Sequence, residues 1–224
     1  MNFMAWLSSF DELLYEVMSW ILFLPITLWR TLRNPIGMMD YADAELALPD
    51  EKTQYQAALS PPLFLALCLL LSHVLSLALG EADAIVASKR GLAGLVSDDT
   101  SALLLRVVLF GSFPLFMAAR LVRKQGLPLT RPALKPAFYA HCYPAGLLAL
   151  VVGGGAAIMD IPGHAWELPG FAMLLLALLA YGTVSAIWFA RRLAQPVWRG
   201  FIHATFGMLE GLLVAILMML LFRP

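Results

Sequence analysis

Five apolar runs of about twenty residues constrain this chain more than any other feature of its sequence. A helix needs about 20 mostly apolar residues to cross the hydrocarbon of a bilayer. The runs cover residues 61–80, 101–119, 136–158, 168–190 and 200–222. In lipid only helices and closed barrels satisfy every backbone polar group, and runs this continuously apolar lack a barrel's alternation. The sequence therefore predicts an all-α, polytopic transmembrane helix bundle with five spans.

The overall composition agrees with a protein dissolved in lipid. Hydrophobic residues make up 61% of the chain and charged residues only 13%, whereas soluble domains are about half apolar and about a quarter charged. The 15 basic and 15 acidic residues balance, and nucleic-acid-binding domains normally carry a positive excess. We therefore expect the lipid bilayer as a partner and no nucleic acid.

A sixth apolar stretch, residues 17–29, contains 13 residues and includes Pro25. This length suits a helix lying in the membrane interface better than a full span. The tryptophans Trp6, Trp20 and Trp29 are of the kind that anchors such helices at the headgroups. We predict an N-terminal interfacial amphipathic helix, with a sixth span as the alternative.

The chain divides in sequence into an N-terminal part, residues 1–60, and the predicted bundle, residues 61–224. The N-terminal part ends in a polar segment, residues 34–60. Its acidic residues are Asp40, Asp43, Glu45, Asp50 and Glu51. This segment is predicted either to be a solvated connector or to be a docking surface for a partner, since acidic chains do little for binding to anionic lipid.

The basic residues orient the five spans. Eleven lie in segments that the spans place on one side: Arg30, Arg33, Lys52, Arg120, Arg123, Lys124, Arg131, Lys135, Arg191, Arg192 and Arg199. Only Lys89, Arg90 and Arg223 fall on the other side. Basic loops stay in the cytoplasm. The prediction is a bacterial-type inner-membrane protein whose segment before the first span is cytoplasmic.

Small residues at four-residue spacing mark the predicted helix contacts. They matter because helices in lipid associate through close backbone approach. Gly153 belongs to such a stripe in the third span, and Gly207 and Gly211 form a GxxxG pair in the fifth. The run Gly153–Gly154–Gly155 has two readings, tight packing or a local hinge of the kind that transporters use.

Four polar side chains lie deep enough in the predicted spans to carry function: Glu210, His73, His203 and Arg106. A lone ionised group at that depth is costly, so Glu210 is expected to be paired. We predict that it contacts His73, His203 or Arg106 on the inside of the bundle. The pair is either structural or part of a proton or ion relay.

Motifs of known enzymes and metal sites are missing from the sequence. It contains no GxSxG, HExxH, Walker A or GxGxxG pattern. Cys68 and Cys142 lie in apolar runs without metal-site spacing, and are predicted to be packing residues rather than a disulfide. The prediction is a protein that is not an enzyme and that uses no cofactor and no metal.

Two stretches resemble the Yip/YIPF-type family of five-span membrane proteins. They are LWRTLRNP at 28–35 and the basic loop with the following span at 121–150, in which Tyr139, Tyr143 and Pro144 stand near the start of the span. The Asp-Leu-Tyr-Gly-Pro motif of eukaryotic members is missing, so no Rab-type interaction is implied. The resemblance implies a non-enzymatic membrane scaffold or adaptor and assigns no site residues.

The predicted function is a membrane scaffold or accessory subunit that binds other membrane proteins or further copies of itself. The main alternative is a transporter or channel subunit with a polar path around Glu210. A third alternative, a component of lipid modification or polysaccharide export, rests only on the aromatic N-terminal helix. A wet cavity at Glu210 favours transport, and a large apolar groove on the outside of a well-packed bundle favours the scaffold.

Overall fold

The structure is a computed structural model that describes residues 3–49, 53–79, 99–161 and 165–221. Seven helices occupy these ranges: α1 (Phe3–Arg33), α2 (Pro35–Leu46), α3 (Pro61–Ala78), α4 (Asp99–Lys124), α5 (Arg131–Met159), α6 (Glu167–Arg192) and α7 (Val197–Leu221). The predicted span ends at Gly80 and Phe222 lie outside the described ranges, as do Asp50, Glu51, Lys52, Lys89, Arg90 and Arg223.

Helices α3 to α7 are long and apolar enough to cross a membrane, which confirms the predicted five-span helical class. Two helices extend five residues beyond the predicted spans. Helix α4 continues from 119 to Lys124, and α5 begins at Arg131 rather than 136. The apolar stems of arginine and lysine let a helix run on into the interface. Thr130 caps α5 by accepting a hydrogen bond from the Ala133 amide at 3.4 Å.

The N-terminal stretch is one continuous helix of 31 residues, α1, with Pro25 inside it. One face packs against the core through Trp20, Phe23, Leu24 and Leu28. The opposite face is apolar and exposed, and includes Met18, Ile21, Leu22, Ile26 and Trp29. The predicted N-terminal helix is confirmed and is longer than residues 17–29, while the side chain of Trp6 lies outside the described part. The described part of α1 is not among the helices that are apolar enough to cross a membrane.

Helix α5 is the centre of the bundle and contacts α2, α3, α4 and α6. A Cβ atom on Gly146 would lie 2.7 Å from the Phe64 ring, and one on Gly153 would overlap the Ser72 hydroxyl. A Cβ on Gly155 would lie 3.0 Å from the Gly170 carbonyl oxygen. Gly153 and Gly155 are therefore packing positions. Because α5 stays helical through Gly153, Gly154 and Gly155, no unwound backbone supports the hinge reading.

Helix α7 runs antiparallel to α4 and α6 at the edge of the bundle. A Cβ on Gly207 would lie 2.7 Å from the sulfur of Met117, and one on Gly211 would lie 2.9 Å from the Phe113 ring. On the side of α6, a Cβ on Gly200 would overlap the carbonyl oxygen of Ala186. Glycine therefore sets the approach of α7 to both of its neighbours.

The chain that leads into α3 is held by three hydrogen bonds, two of them buried. The Leu59 amide donates to the Thr27 hydroxyl at 3.1 Å, and the Tyr143 hydroxyl donates to the Leu59 carbonyl at 2.7 Å. Arg30 donates to the Ala57 carbonyl at 2.9 Å. These bonds join α1, the segment before α3, and α5, so residues before 61 share the core of the bundle.

The acidic segment is folded against one end of the bundle, which we call the α2 end. Asp40 pairs with Arg191 at 3.3 Å, and Asp43 pairs with Arg192. Glu45 accepts a hydrogen bond from the Tyr55 amide at 2.6 Å. Burial, with Tyr139 and Glu45 nearby, raises the pKa of Tyr55. Three of the five acidic residues are thus engaged within the chain itself.

Candidate intramembrane polar site

Glu210 is paired with a side chain on another helix, but the partner is Arg120. A guanidinium nitrogen (Nη1) of Arg120 donates to Oε1 of Glu210 at 3.0 Å. The sequence-based assignment of His73, His203 or Arg106 as the partner was wrong. Arg120 had been placed in a loop, one residue beyond the predicted end of its span, whereas α4 carries it within the helix.

The antiparallel packing of α4 and α7 explains how the two side chains meet. Met117 lies opposite Gly207, so the backbones of Arg120 and Glu210 differ in level by about six residues, roughly 9 Å. Side chains lean toward the N-terminus of their own helix. In an antiparallel pair these leans point toward each other, and two long side chains close the gap.

The Arg120 guanidinium is also held by an aromatic ring. Its central carbon lies 4.7 Å from the centre of the Phe206 ring, one turn before Glu210. The Arg120 side chain is 18% exposed and that of Glu210 36% exposed within the protein alone. Both lie in helices long and apolar enough to span a membrane, Glu210 near the middle of α7 and Arg120 one turn before the end of α4. The site is an ion pair at the α4–α7 interface.

Of the predicted histidines, His203 lies nearest in sequence to this pair. It is partly buried, and its ring stacks on Phe189 at 6.0 Å. Its Nδ1 is buried and finds no hydrogen-bond partner among the described residues.

His73 is almost fully buried in α3. Both of its ring nitrogens are buried and without a hydrogen-bond partner in the described part of the chain. A buried nitrogen without a hydrogen-bond partner is uncommon in proteins. His73 is therefore a buried polar position separate from the ion pair of Glu210.

Arg106 is partly buried in α4 and has an interaction of its own. Fourteen residues separate it from Arg120, roughly 21 Å along the helix. The four predicted residues therefore do not form one cluster.

Sequence reasoning overlooked His141, a titratable side chain inside α5. It is fully buried, and its Nδ1–H donates to the Ala137 carbonyl at 2.9 Å. Its Nε2 has no partner among the described residues, and its ring packs on Phe189 at 6.0 Å. The motif AHCYPAG inside an apolar run was the available signal.

A groove runs along the outside of α6 and α7 and has a volume of about 310 Å³. Its floor includes Phe113 of α4, Gly182 and Ala204, and its rim includes the exposed Thr183 and Thr205. The remaining lining is apolar: Leu178, Leu179, Phe201, Met208, Leu209 and Leu212. Leu209 lines the groove, whereas the adjacent Glu210 turns toward α4, so the groove and the ion pair occupy different faces of α7.

No group of three or more His, Cys, Asp or Glu side chains able to hold a metal occurs among the described residues. Cys68 and Cys142 are buried and not joined in a disulfide. Cys68 lies beside Gly146, where a Cβ atom would be 3.3 Å from its sulfur. Its position is that of a small packing residue.

The fold and this site define a multi-pass helical membrane protein with an ion pair between two of its spans. No known protein family matches the sequence, no characterised protein matches it significantly, and neither does any solved structure.

Proposed function

We propose that this protein is a scaffold or accessory subunit of a bacterial-type inner membrane that binds a transmembrane helix of another membrane protein in the α6–α7 groove. The α2 end faces the cytoplasm in this proposal, because most of the basic residues flank the spans on that side. The resemblance to Yip/YIPF-type proteins implies the same kind of role, which needs no catalytic centre.

The groove is the observation that carries the proposal. Helices pack in lipid where small residues allow close approach and where hydroxyls offer hydrogen bonds. Gly182 and Ala204 are small enough to allow close approach. The exposed Thr183 and Thr205 offer hydroxyls for hydrogen bonds. Helix α7 is also the least buried of the five spans. A face of this kind fits a helix with small residues of its own.

The acidic segment plays a smaller part in this proposal than the sequence alone indicated. Asp40, Asp43 and Glu45 are engaged within the chain. Carboxylates already paired with arginine offer little to a second protein. The groove therefore replaces the acidic segment as the leading surface for a partner.

The alternative of a transporter or channel subunit rests on the intramembrane polar residues. The unpartnered nitrogens of His73 and His141 favour it, because buried polar groups of this kind mark ion and proton paths. Against it stands the direct pairing of Glu210 with Arg120, because a carboxylate held by a partner on a neighbouring helix serves as a structural contact.

The proposal predicts that filling the groove releases the partner. Thr205→Trp places an indole in the groove, and we expect it to abolish co-purification of a discrete membrane protein after mild detergent extraction. Ala66→Trp is the matched control, since Ala66 is a small exposed residue on α3. Partner recovery should survive in this control. Equal recovery with both variants, or loss with both, would contradict a partner in the groove.

A further inference from the structure

The junction of α1 and α2 forms a second, chemically different cavity. It has a volume of about 350 Å³ and is lined by Trp29, Arg30, Arg33, Asn34, Gly37 and Met38. Two arginines thus face one cavity, and the first turn of α2 closes it. A helix N-terminus adds a partial positive charge. The cavity is strongly electropositive.

Neither arginine of this cavity forms an ion pair with a residue in the described part of the chain. Both make contacts with neutral groups. Arg30 donates to the Ala57 carbonyl, and its guanidinium lies 5.0 Å from the centre of the Tyr41 ring. Arg33 stacks on the Trp29 ring at 4.6 Å. A guanidinium has five N–H donors, so most of their donors remain available and are held in place.

The arginines of the α2 end differ in this respect. Arg191 pairs with Asp40, and Arg192 pairs with Asp43. Each of these two positive charges is thus paired with a carboxylate of the same chain. Arg30 and Arg33 line the same cavity and can bind an external anion.

The cavity lies at the end of the exposed apolar face of α1. That face includes Met18, Ile21, Leu22 and Ile26 and continues through Trp29 to Leu32, directly beside the two arginines. Tryptophan beside arginine at the end of an apolar stripe is typical of the headgroup level of a membrane. A ligand here meets cationic donors at one end and apolar side chains at the other.

We propose that this cavity binds the phosphate of an anionic membrane phospholipid, with the acyl chains along the exposed face of α1. The guanidinium groups of Arg30 and Arg33 donate to the phosphate oxygens, which arginine recognises well. A free phosphate would use the same donors but would gain nothing from the apolar face. An anionic lipid is favoured over a zwitterionic one because the site holds two arginines that pair with no carboxylate of the described residues.

Arg33→Gln is the sharpest test, because Arg33 makes no hydrogen bond to any described residue, whereas Arg30 donates one to the Ala57 carbonyl. The full chain in detergent is titrated with phosphatidylglycerol or phosphatidylcholine, and bound lipid is counted by native mass spectrometry. We expect phosphatidylglycerol to bind more tightly, and Arg33→Gln to weaken it about tenfold, the value of one hydrogen bond to a charged group.

Arg199→Gln is the matched control, since Arg199 also stacks on a neighbouring tryptophan, Trp198, at 5.1 Å. It should bind phosphatidylglycerol as the unmodified protein does. Melting temperatures without lipid show whether each variant is folded. Equal binding of the two lipids, unchanged binding by Arg33→Gln, or an equal loss in Arg199→Gln would each overturn the proposal. Displacement of the lipid by millimolar inorganic phosphate alone would overturn it as well, because it would identify a site for a free anion.

Discussion

Gly200→Leu should destabilise the protein more than any other single substitution of a packing glycine on α7. The first atom of any side chain at Gly200 would overlap the carbonyl oxygen of Ala186 and lie 3.1 Å from the amide nitrogen of Ala190. Both are backbone atoms of α6, which cannot rotate away as the Phe113 ring opposite Gly211 can. Overpacking typically costs about 1–3 kcal/mol and occasionally more, and we expect the upper end of this range.

The matched control for Gly200→Leu is Gly111→Leu. A Cβ on Gly111 of α4 would meet nothing within 4 Å, so leucine there should leave the melting temperature in detergent unchanged or raise it. The measurement is thermal unfolding of both variants beside the unmodified protein. If the two variants melt at the same temperature, the close contact of α6 and α7 is wrong.

Breaking the ion pair between Arg120 and Glu210 should be costly from either side. A charged residue near the centre of a membrane helix costs about 2.5–3.5 kcal/mol by insertion measurements. Glu210→Leu leaves the guanidinium without its partner, and Arg120→Leu leaves the carboxylate. We expect Arg120→Leu to cost about 2–3 kcal/mol, because it leaves an uncompensated carboxylate near the middle of α7. Glu210→Leu should cost less, because Arg120 lies one turn before the end of α4 and its stem can extend toward the interface.

The double variant, with both Arg120 and Glu210 replaced by leucine, measures the coupling energy of the pair apart from the cost of each single substitution. With both side chains replaced by leucine no charge remains in the interface, and stability should largely recover, as it does when a buried pair is replaced by apolar residues. The control cycle uses Arg191 and Asp40, whose side chains are 59% and 53% exposed. Exposed pairs couple by about 0–1 kcal/mol. Equal coupling in the two cycles would show that Arg120 and Glu210 are solvated and not held in lipid.

The number and class of the spans followed from the sequence because length and hydropathy are local properties. A run such as residues 61–80 needs no knowledge of its neighbours to indicate a helix in lipid. The helix ends were less accurate for the same reason. Arg120 and Arg131 look like loop residues by charge alone, although their stems allow the helix to continue past them.

The partner of Glu210 could not be derived from the sequence. It depends on the rotation and register of α4 against α7, which are set by the contacts of Gly207 and Gly211 with Met117 and Phe113. Matching depths from span ends pointed to His73 instead. The error came from neglecting the lean of side chains, which lets residues six positions apart in level meet across an antiparallel pair.

The folding of the acidic segment onto the α2 end was also beyond local reasoning. Asp40 and Asp43 lie about 150 residues from Arg191 and Arg192 in sequence. No pattern within 34–60 reveals such a pairing. His141 is different, because its place in an apolar run was visible and its burial could have been inferred.

Crosslinking in the native membrane tests the proposed partner most directly. A photo-reactive phenylalanine analogue at Leu212, which lines the groove, is compared with the same analogue at Leu71, an exposed leucine on α3. We predict one discrete protein adduct from Leu212, none from Leu71, and loss of the adduct when Thr205→Trp fills the groove. Lipid adducts alone at both positions would contradict a partner helix in the groove, and an adduct at twice the mass of the chain would assign the groove to a second copy instead.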